Sequence, residues 1–341
     1  MHLDKASFED TLQRKVVLKG KCFGCSACVI VCPYASLDFA EGKPRLAKEC
    51  KICGICPRTC PQYKSQLSQV EGYVFDRQRK RQEDFGIYRR IIVARAEDDR
   101  VLKVCQDGGV VTALLLHALA TGLIDSAVVS GISERKPFYP VPKVATTSED
   151  LLACAGTRYS YSPNLLALAE AVKNHTSVVF VGTPCQILAL RKIQMAGLKK
   201  YTTRLKFLIG LMCSECFTYE GLMERHIQEK LGINLVNVKK INIKGKMIVT
   251  LKNGQVQTIP LTEVKQYVRK SCGFCGDFSS ELADVSAGGL GLNGWTFTVI
   301  RTEKGEELFS SAEKAGDVKT RSVGEEPNAL SLLRKLSQKK R

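Results

Sequence analysis

Cys22-x-x-Cys25-x-x-Cys28-x-x-x-Cys32-Pro33 is followed in this chain by Cys50-x-x-Cys53-x-x-Cys56-x-x-x-Cys60-Pro61. Three closely spaced thiolates can wrap one iron–sulfur cube, and the proline ends the local turn. The doubled spacing is that of a protein holding two [4Fe–4S] clusters, in which the fourth cysteine of each run crosses over to the other cube. It pairs Cys22, Cys25, Cys28 and Cys60 on one cluster, and Cys50, Cys53, Cys56 and Cys32 on the other. Zinc sites favour pairs of C-x-x-C separated by one long gap. Disulfides need an oxidising compartment. Neither matches two triplets with a trailing Cys-Pro.

Five further cysteines sit near expected element ends. Cys185 lies in Gly182-Thr183-Pro184-Cys185-Gln186, Cys213 and Cys216 in Gly210-Leu211-Met212-Cys213-Ser214-Glu215-Cys216, and Cys272 and Cys275 form a bare C-x-x-C. By spacing alone, Cys213/Cys216 with Cys272/Cys275 suits a structural zinc. Three strand-end cysteines converging with a C-x-x-C could equally hold a third cube, and local chemistry does not choose between Cys185 and Cys216. Cys105 and Cys154 are expected to be plain buried thiols. Two segments offer donors to an anion. In Gln106-Asp107-Gly108-Gly109, followed by Thr112, paired glycines open a helix whose N–H groups can face a pyrophosphate; a tight cap is the equal alternative. Gly156-Thr157-Arg158-Tyr159-Ser160-Tyr161-Ser162 supplies further donors and a ring; its plain reading is a polar loop capping a helix. His117, His175 and His226 are expected at the surface or in packing.

The elements that must position these groups follow from composition and pattern. The chain has 341 residues, 44% hydrophobic and 25% charged, enough for two domains. No apolar run reaches the roughly 18–20 residues of a membrane span, and the N-terminus lacks a signal core. Fifteen cysteines then imply a reducing cytoplasm. The formal charge is +17; three clusters of about −2 each would leave about +11. No nucleic-acid signature accompanies that charge, so an anionic cofactor or acidic protein is the expected partner. The runs Arg77–Arg81 and Lys335–Arg341 read as solvated charge.

Residues 1–14 read as a helical lead-in and 15–64 as an α+β bacterial ferredoxin-like module. Residues 65–85 read as a surface linker or exposed helix. From 86 onward, apolar β-branched runs (91–93, 127–129, 178–181) alternate with helical stretches at 110–121, 164–173, 185–196 and 219–231. This predicts an α/β layer with a largely parallel sheet. The 235–260 region, with its Asn253-Gly254 turn, reads as a β-hairpin.

Gly182–Gln186, Gly210–Cys213, Gln106–Gly109 with Thr112, and Cys272-Gly273-Phe274-Cys275-Gly276-Asp277-Phe278-Ser279-Ser280-Glu281-Leu282-Ala283-Asp284-Val285-Ser286 together resemble the family formed by the beta subunits of coenzyme F420 hydrogenases and dehydrogenases. The likeness covers roughly residues 86–301. It implies an α/β flavoprotein domain with FAD, one [4Fe–4S] cluster and a site for the deazaflavin F420. Carried over, it implies Cys185, Cys213, Cys272 and Cys275 as ligands. It also implies Gln106, Asp107, Gly108, Gly109, Thr112, Gly156, Thr157, Arg158, Tyr159 and Ser162 around FAD. Cys216 departs from the family pattern and keeps a ligand swap open.

The added two-cluster module resembles the electron-input subunit of F420H2 dehydrogenases. That likeness implies oxidation of F420H2 by hydride transfer to FAD, with no catalytic side chain. Single electrons then pass through three clusters to a membrane respiratory complex, at the inner face of the cell membrane. The alternatives are a beta subunit of an F420-linked hydrogenase, formate dehydrogenase or other soluble oxidoreductase, and a non-enzymatic ferredoxin adaptor.

Overall fold

The computed structural model describes residues 5–64 and 66–341; the first four residues of the expected lead-in, and residue 65, lie outside them. Strands β1 (Leu37–Ala40) and β2 (Lys43–Leu46) pair in the cysteine-rich N-terminal part. Then follow β3 (Arg90–Ala96), β4 (Ser126–Ile132), β5 (Pro140–Ala145), β6 (Val178–Gly182) and β7 (Leu205–Leu211). β8 (Val238–Lys244), β9 (Lys246–Leu251) and β10 (Val256–Pro260) come next, and β11 (Val285–Gly288), β12 (Thr296–Ile300) and β13 (Val318–Arg321) end the series.

The large sheet has eight strands in the order β13-β3-β12-β11-β7-β6-β4-β5. Its centre, β11-β7-β6-β4, is parallel, but every other pairing is antiparallel. The expected largely parallel sheet is therefore corrected to a mixed one. The reason is connection length: residues 289–295 link β11 to β12, too short for the dozen or more residues of a parallel crossover. The 235–260 region is likewise corrected, from a hairpin to a three-stranded antiparallel meander, β10-β9-β8. The Asn253-Gly254 turn is present, with Gly254 at φ +88°. A second tight turn at Gly245, φ +70°, joins β8 to β9.

Helices cover both faces of the large sheet. Val110–Ala120 and Glu303–Ala315 lie on one side, in a core with Val129, Val179, Ile209 and Ile300. Leu165–Asn174 and Pro184–Met195 lie on the other. These and Glu220–Lys230 match the expected helices to within about a residue. The second core also contains Cys25, Ala27, Ile30 and Val31 from the N-terminal module. Tyr201 Oη donates to Ile30 O across that junction.

Three surface expectations hold for most of their residues but fail at a few that packing buries or pairs. Within the expected linker, Leu67–Phe75 is a helix whose Val70 is fully buried in the same core. Arg79, from the supposedly solvated run, pairs with Glu71 and Glu281, both buried. The basic tail belongs to helix Pro327–Lys340; Lys340 Nζ donates to Cys272 O at 3.2 Å, and Arg341 Nη2 to Glu281 Oε1 at 2.9 Å. Cations that look solvated in one dimension here satisfy buried carboxylates and carbonyls.

Candidate functional site

Helix Glu9–Val17 opens the N-terminal module with wide hydrogen bonds, Gln13 N to Phe8 O and Leu18 N to Gln13 O, both 2.9 Å. It presses Phe8, Leu12 and Val16 onto Cys28, Leu37 and Cys56. The two cysteine runs then fold alike. Gly24 and Ser26 take left-handed φ of 69° and 64°, and the equivalent Ile52 and Gly54 take 52° and 70°. Each run thereby turns sharply before its short helix, Ala27–Ile30 or Ile55–Thr59. One pocket is lined by Cys22, Cys25, Cys28 and Cys60, together with Leu12 and Val16. A second is lined by Cys32, Cys50, Cys53 and Cys56, together with Phe8 and Leu37. The structure thus gathers the same two quartets as the crossover spacing.

The electrostatics suit a cationic guest. Burial, then the neighbouring Cys60, holds Cys25 well above the usual thiol range. Burial, then Cys53, Cys50 and Cys32, pushes Cys56 up to about 12. Backbone donors reach three of the sulfurs at 3.4 Å: Gly24 N to Cys22, Phe8 N to Cys50, and Ser36 N to Cys32. Crowded thiols of this kind become thiolates when bound iron supplies the opposing charge. Among the described residues, no His, Cys, Asp or Glu group closes on a point as a lone ion requires; the thiols ring pockets instead.

The other five cysteines also converge. Cys185 opens helix Pro184–Met195 after β6, behind a Thr183/Gln186 capping box. Cys213 follows β7 and donates its N–H to Phe278 O at 2.8 Å. Cys272 lies within the turn Lys270–Phe274 and Cys275 directly follows it. Cys216 N donates to Cys272 Sγ at 3.4 Å, and Cys213 Sγ lies 3.9 Å from Cys216 Sγ. Burial, then Cys275, pushes Cys185 up to about 12. Cys216 runs the other way: the Cys213 thiol hydrogen bond, with Arg269 and Lys340 nearby, holds it below the usual thiol range despite burial. Cys105 and Cys154 lie apart from this group; Cys105 is buried and Cys154 half-buried.

The donor segments meet beside this centre. Gln106 Nε2 donates to Ile241 O at 3.0 Å, while its Oε1 accepts from Thr157 N at 3.3 Å. Asp107, half-buried, is raised by burial against the pull of Lys244 and Lys240. A Cβ on Gly289 would stand 2.3 Å from the Asp107 carboxylate. Gly108 lies against the sheet: Ala96 N donates to its carbonyl at 2.7 Å, and its own N–H reaches Thr296 Oγ1 at 3.1 Å. That N–H is therefore taken, and close packing alone accounts for this glycine. Gly109, at φ +76°, caps the following helix, on which Thr112 is buried.

Gly108→Ala would place a Cβ 2.7 Å from both Ala94 O and Thr296 N. These are backbone atoms that cannot swing away, so a loss of roughly 1–3 kcal/mol is expected in denaturant unfolding.

Arg158 donates to the carbonyls of Ala153, Cys154, Ala155 and Gly156, and so ties up its own loop. Tyr159 packs with the meander core. Ser162 O accepts from Gln186 Nε2 at 2.6 Å, and Tyr161 Oη lies 3.7 Å from Cys185 Sγ. The 156–162 segment thus reaches Gln106 at one end and Cys185 at the other. Tyr161 lies four steps along the chain from Thr157, a span of at most about 14 Å.

Two basic residues escape a reading from sequence. Lys240 Nζ donates to Cys105 O and Gln106 O, both at 2.9 Å, and Lys244 Nζ to Asn293 Oδ1 at 2.6 Å. Their signal was the alternation Lys240-Ile241-Asn242-Ile243-Lys244, which puts both on one strand face. His117 is buried on Asp317 and Ser311, and His226 is buried against Tyr267; His175 is half-buried.

A mixed α/β sheet carrying convergent thiols and a glycine-rich loop defines the class, and sequence comparison places it. Residues 91–169 match the model described as coenzyme F420 hydrogenase/dehydrogenase, beta subunit N-term, and residues 175–326 match its C-terminus counterpart. The chain belongs to this family. It is 41% identical to the coenzyme F420 hydrogenase subunit beta of Methanothermobacter thermautotrophicus, over 75% of this chain and 92% of that one. It is 29% identical to one of the F(420)H(2) dehydrogenase subunits of Methanosarcina mazei, over 96% and 91%. A chain of the F420-reducing [NiFe] hydrogenase complex from Methanosarcina barkeri superposes with a TM-score of 0.73 at 37% identity, covering 77% of this chain and 91% of that one. Among the described residues, no helix is long and apolar enough to cross a membrane.

Proposed function

We propose that this chain is the electron-input subunit of an F420H2 dehydrogenase. Residues 1–64 would form its two-cluster module and 86–341 its FAD- and F420-binding domain, with a third cluster. The continuity of the chain's own contacts carries this reading: Gln106 touches Thr157, the 156–162 segment reaches Cys185, and Tyr161 and Arg269 connect Cys185 to the first quartet.

FAD, when bound, supplies the exchange between a hydride carrier and one-electron carriers. The protein's share is placement. Lys240 and Lys244 offer positive charge to phosphate or carboxylate groups. The Gln106 and Thr157 loops, tied to each other through Gln106 Oε1 and Thr157 N, would hold the flavin and exclude water. Cys185, Cys213, Cys272 and Cys275 are assigned to the third cluster. The acceptor is a membrane respiratory complex that this chain meets peripherally, at the inner face.

A match over 96% of the chain necessarily includes the doubled cysteine run, which lies outside both family models; this favours the dehydrogenase reading. The higher identity to hydrogenase beta subunits favours the second reading, a component of a soluble F420-linked hydrogenase or formate dehydrogenase. Purified protein loaded with FAD and iron should reduce a viologen dye with F420H2 and not with NADH. Turnover with NADH alone would reject the substrate assignment, and iron-replete protein unable to bind flavin would leave the adaptor role.

A further inference from the structure

Where the N-terminal module meets the large domain, two cations stand beside the first cysteine quartet, and one of them also touches the five-cysteine centre. Arg269 Nη2 donates to Phe23 O at 2.9 Å, within the Cys22–Cys25 loop. Its guanidinium carbon lies 4.1 Å from the centre of the Tyr161 ring. Its backbone is joined to the other centre: Arg269 N donates to Cys216 O, and Cys272 N donates to Arg269 O, both at 2.9 Å. Gly24 makes room for it, since a Cβ there would stand 2.9 Å from Arg269 Nη2.

Lys192, 2% exposed, approaches from helix Pro184–Met195. Its Nζ donates to Cys60 O at 2.7 Å, Tyr63 O at 3.2 Å and Lys64 O at 3.5 Å. Three carbonyl acceptors match the three donors of an ammonium group. Lys192 is buried on those carbonyls, and Arg269 is half-buried on Phe23 O and the Tyr161 ring; withdrawing positive charge from water is costly unless it faces negative charge.

We propose that Arg269 and Lys192 are fixed seam charges that raise the reduction potential of the cluster held by Cys22, Cys25, Cys28 and Cys60. Arg269 acts also on the five-cysteine centre, and Lys192 on the quartet alone. This rests on the reading that both thiol groups hold iron. A reduced cluster carries one more negative charge than its oxidised form, so a nearby fixed cation stabilises the reduced state. Arg269 is shared, with Lys192 on the quartet side and Lys340 on the side of the five-cysteine centre, so fixed charge holds up both potentials. One electron leaves the five-cysteine centre and one enters the quartet, and no proton or leaving group moves. Tyr161 fills the gap between them as packing.

The test is an EPR-monitored dithionite titration of full-length, iron-replete protein, with signals assigned through single Cys→Ser variants. Arg269→Gln should lower both potentials, each by about tenfold in the reduction equilibrium, which is ~59 mV for one electron. Lys192→Gln should lower the quartet's by a similar factor and leave the other in place. Arg269→Lys, which keeps the charge, should shift neither. Unmoved potentials in iron-replete Arg269→Gln and Lys192→Gln would overturn the proposal and leave the proposed function standing. An equal shift at the Cys32/Cys50/Cys53/Cys56 cluster would also overturn it, as a global effect. Wild-type protein that binds no iron under any reconstitution would reject the functional reading itself.

Discussion

Cys185→Ser is expected to take about four of roughly twelve irons from the reconstituted protein, with a matching fall in the visible sulfide-to-iron absorption. Cys185 is locked by its place: it sits one residue after the helix-opening proline, with Thr183 Oγ1 at 3.3 Å and Tyr161 Oη at 3.7 Å from its sulfur. Cys213 and Cys216 behave as alternatives, because sulfurs 3.9 Å apart are too close to serve different corners of one cube. Cys213→Ser should therefore lose the same four irons, while Cys216→Ser should retain about twelve. Iron analysis of the three variants decides it. The opposite outcome at 213 and 216 would assign the ligand to Cys216, the thiol nearer Arg269 and Lys340.

Arg301→Met should be the most destabilising single change outside the cysteines, at roughly 3–5 kcal/mol. The side chain is 1% exposed. It donates to Ser286 Oγ, Phe85 O, Ile87 O, Ser279 O and Ser279 Oγ, all between 2.7 and 3.0 Å. Burial pushes its pKa down to about 10, with Glu281 and Asp277 opposing. Methionine fills similar volume but leaves those carbonyls without a donor. It also removes a charge that helps hold down Asp277, already raised to about 7 by burial and then by Glu281. The segment so loosened begins two residues after Cys275, so the five-cysteine centre should lose iron on mild heating before the N-terminal quartets do. Arg341→Ala, which removes a one-third-exposed arginine from buried Glu281 while Arg79 still pairs with that carboxylate, should cost no more than about 1 kcal/mol. Denaturant unfolding of both variants checks the contrast.

Short-range chemistry wrote itself plainly into the chain. Three thiols with two residues between each wrap locally, and in the doubled spacing the fourth crosses to the other run, so the two quartets were legible from spacing and the two pockets repeat them. Apolar runs of strand and helix period announced β4, β6 and the helices that cover them. The Asn253-Gly254 turn was visible for the same reason. Such features depend on neighbours within one or two turns of chain.

What remained hidden depends on residues that meet from far apart. The place of β3 between β12 and β13 joins residues over 200 positions distant, and no local pattern encodes that pairing. Arg79, Lys192, Arg269 and Lys340 look like ordinary surface cations until folding brings Glu71, Cys60, Phe23 and Cys272 against them. Spacing set Cys216 beside Cys213 and opposite the Cys272/Cys275 pair, but only the approach of β7 to the Lys270–Phe274 turn put its N–H on Cys272 Sγ. Local spacing settles which atoms can share a ligand. Only the long-range closure of the chain, driven by burying the faces of one eight-stranded sheet, settles which charges stand around it.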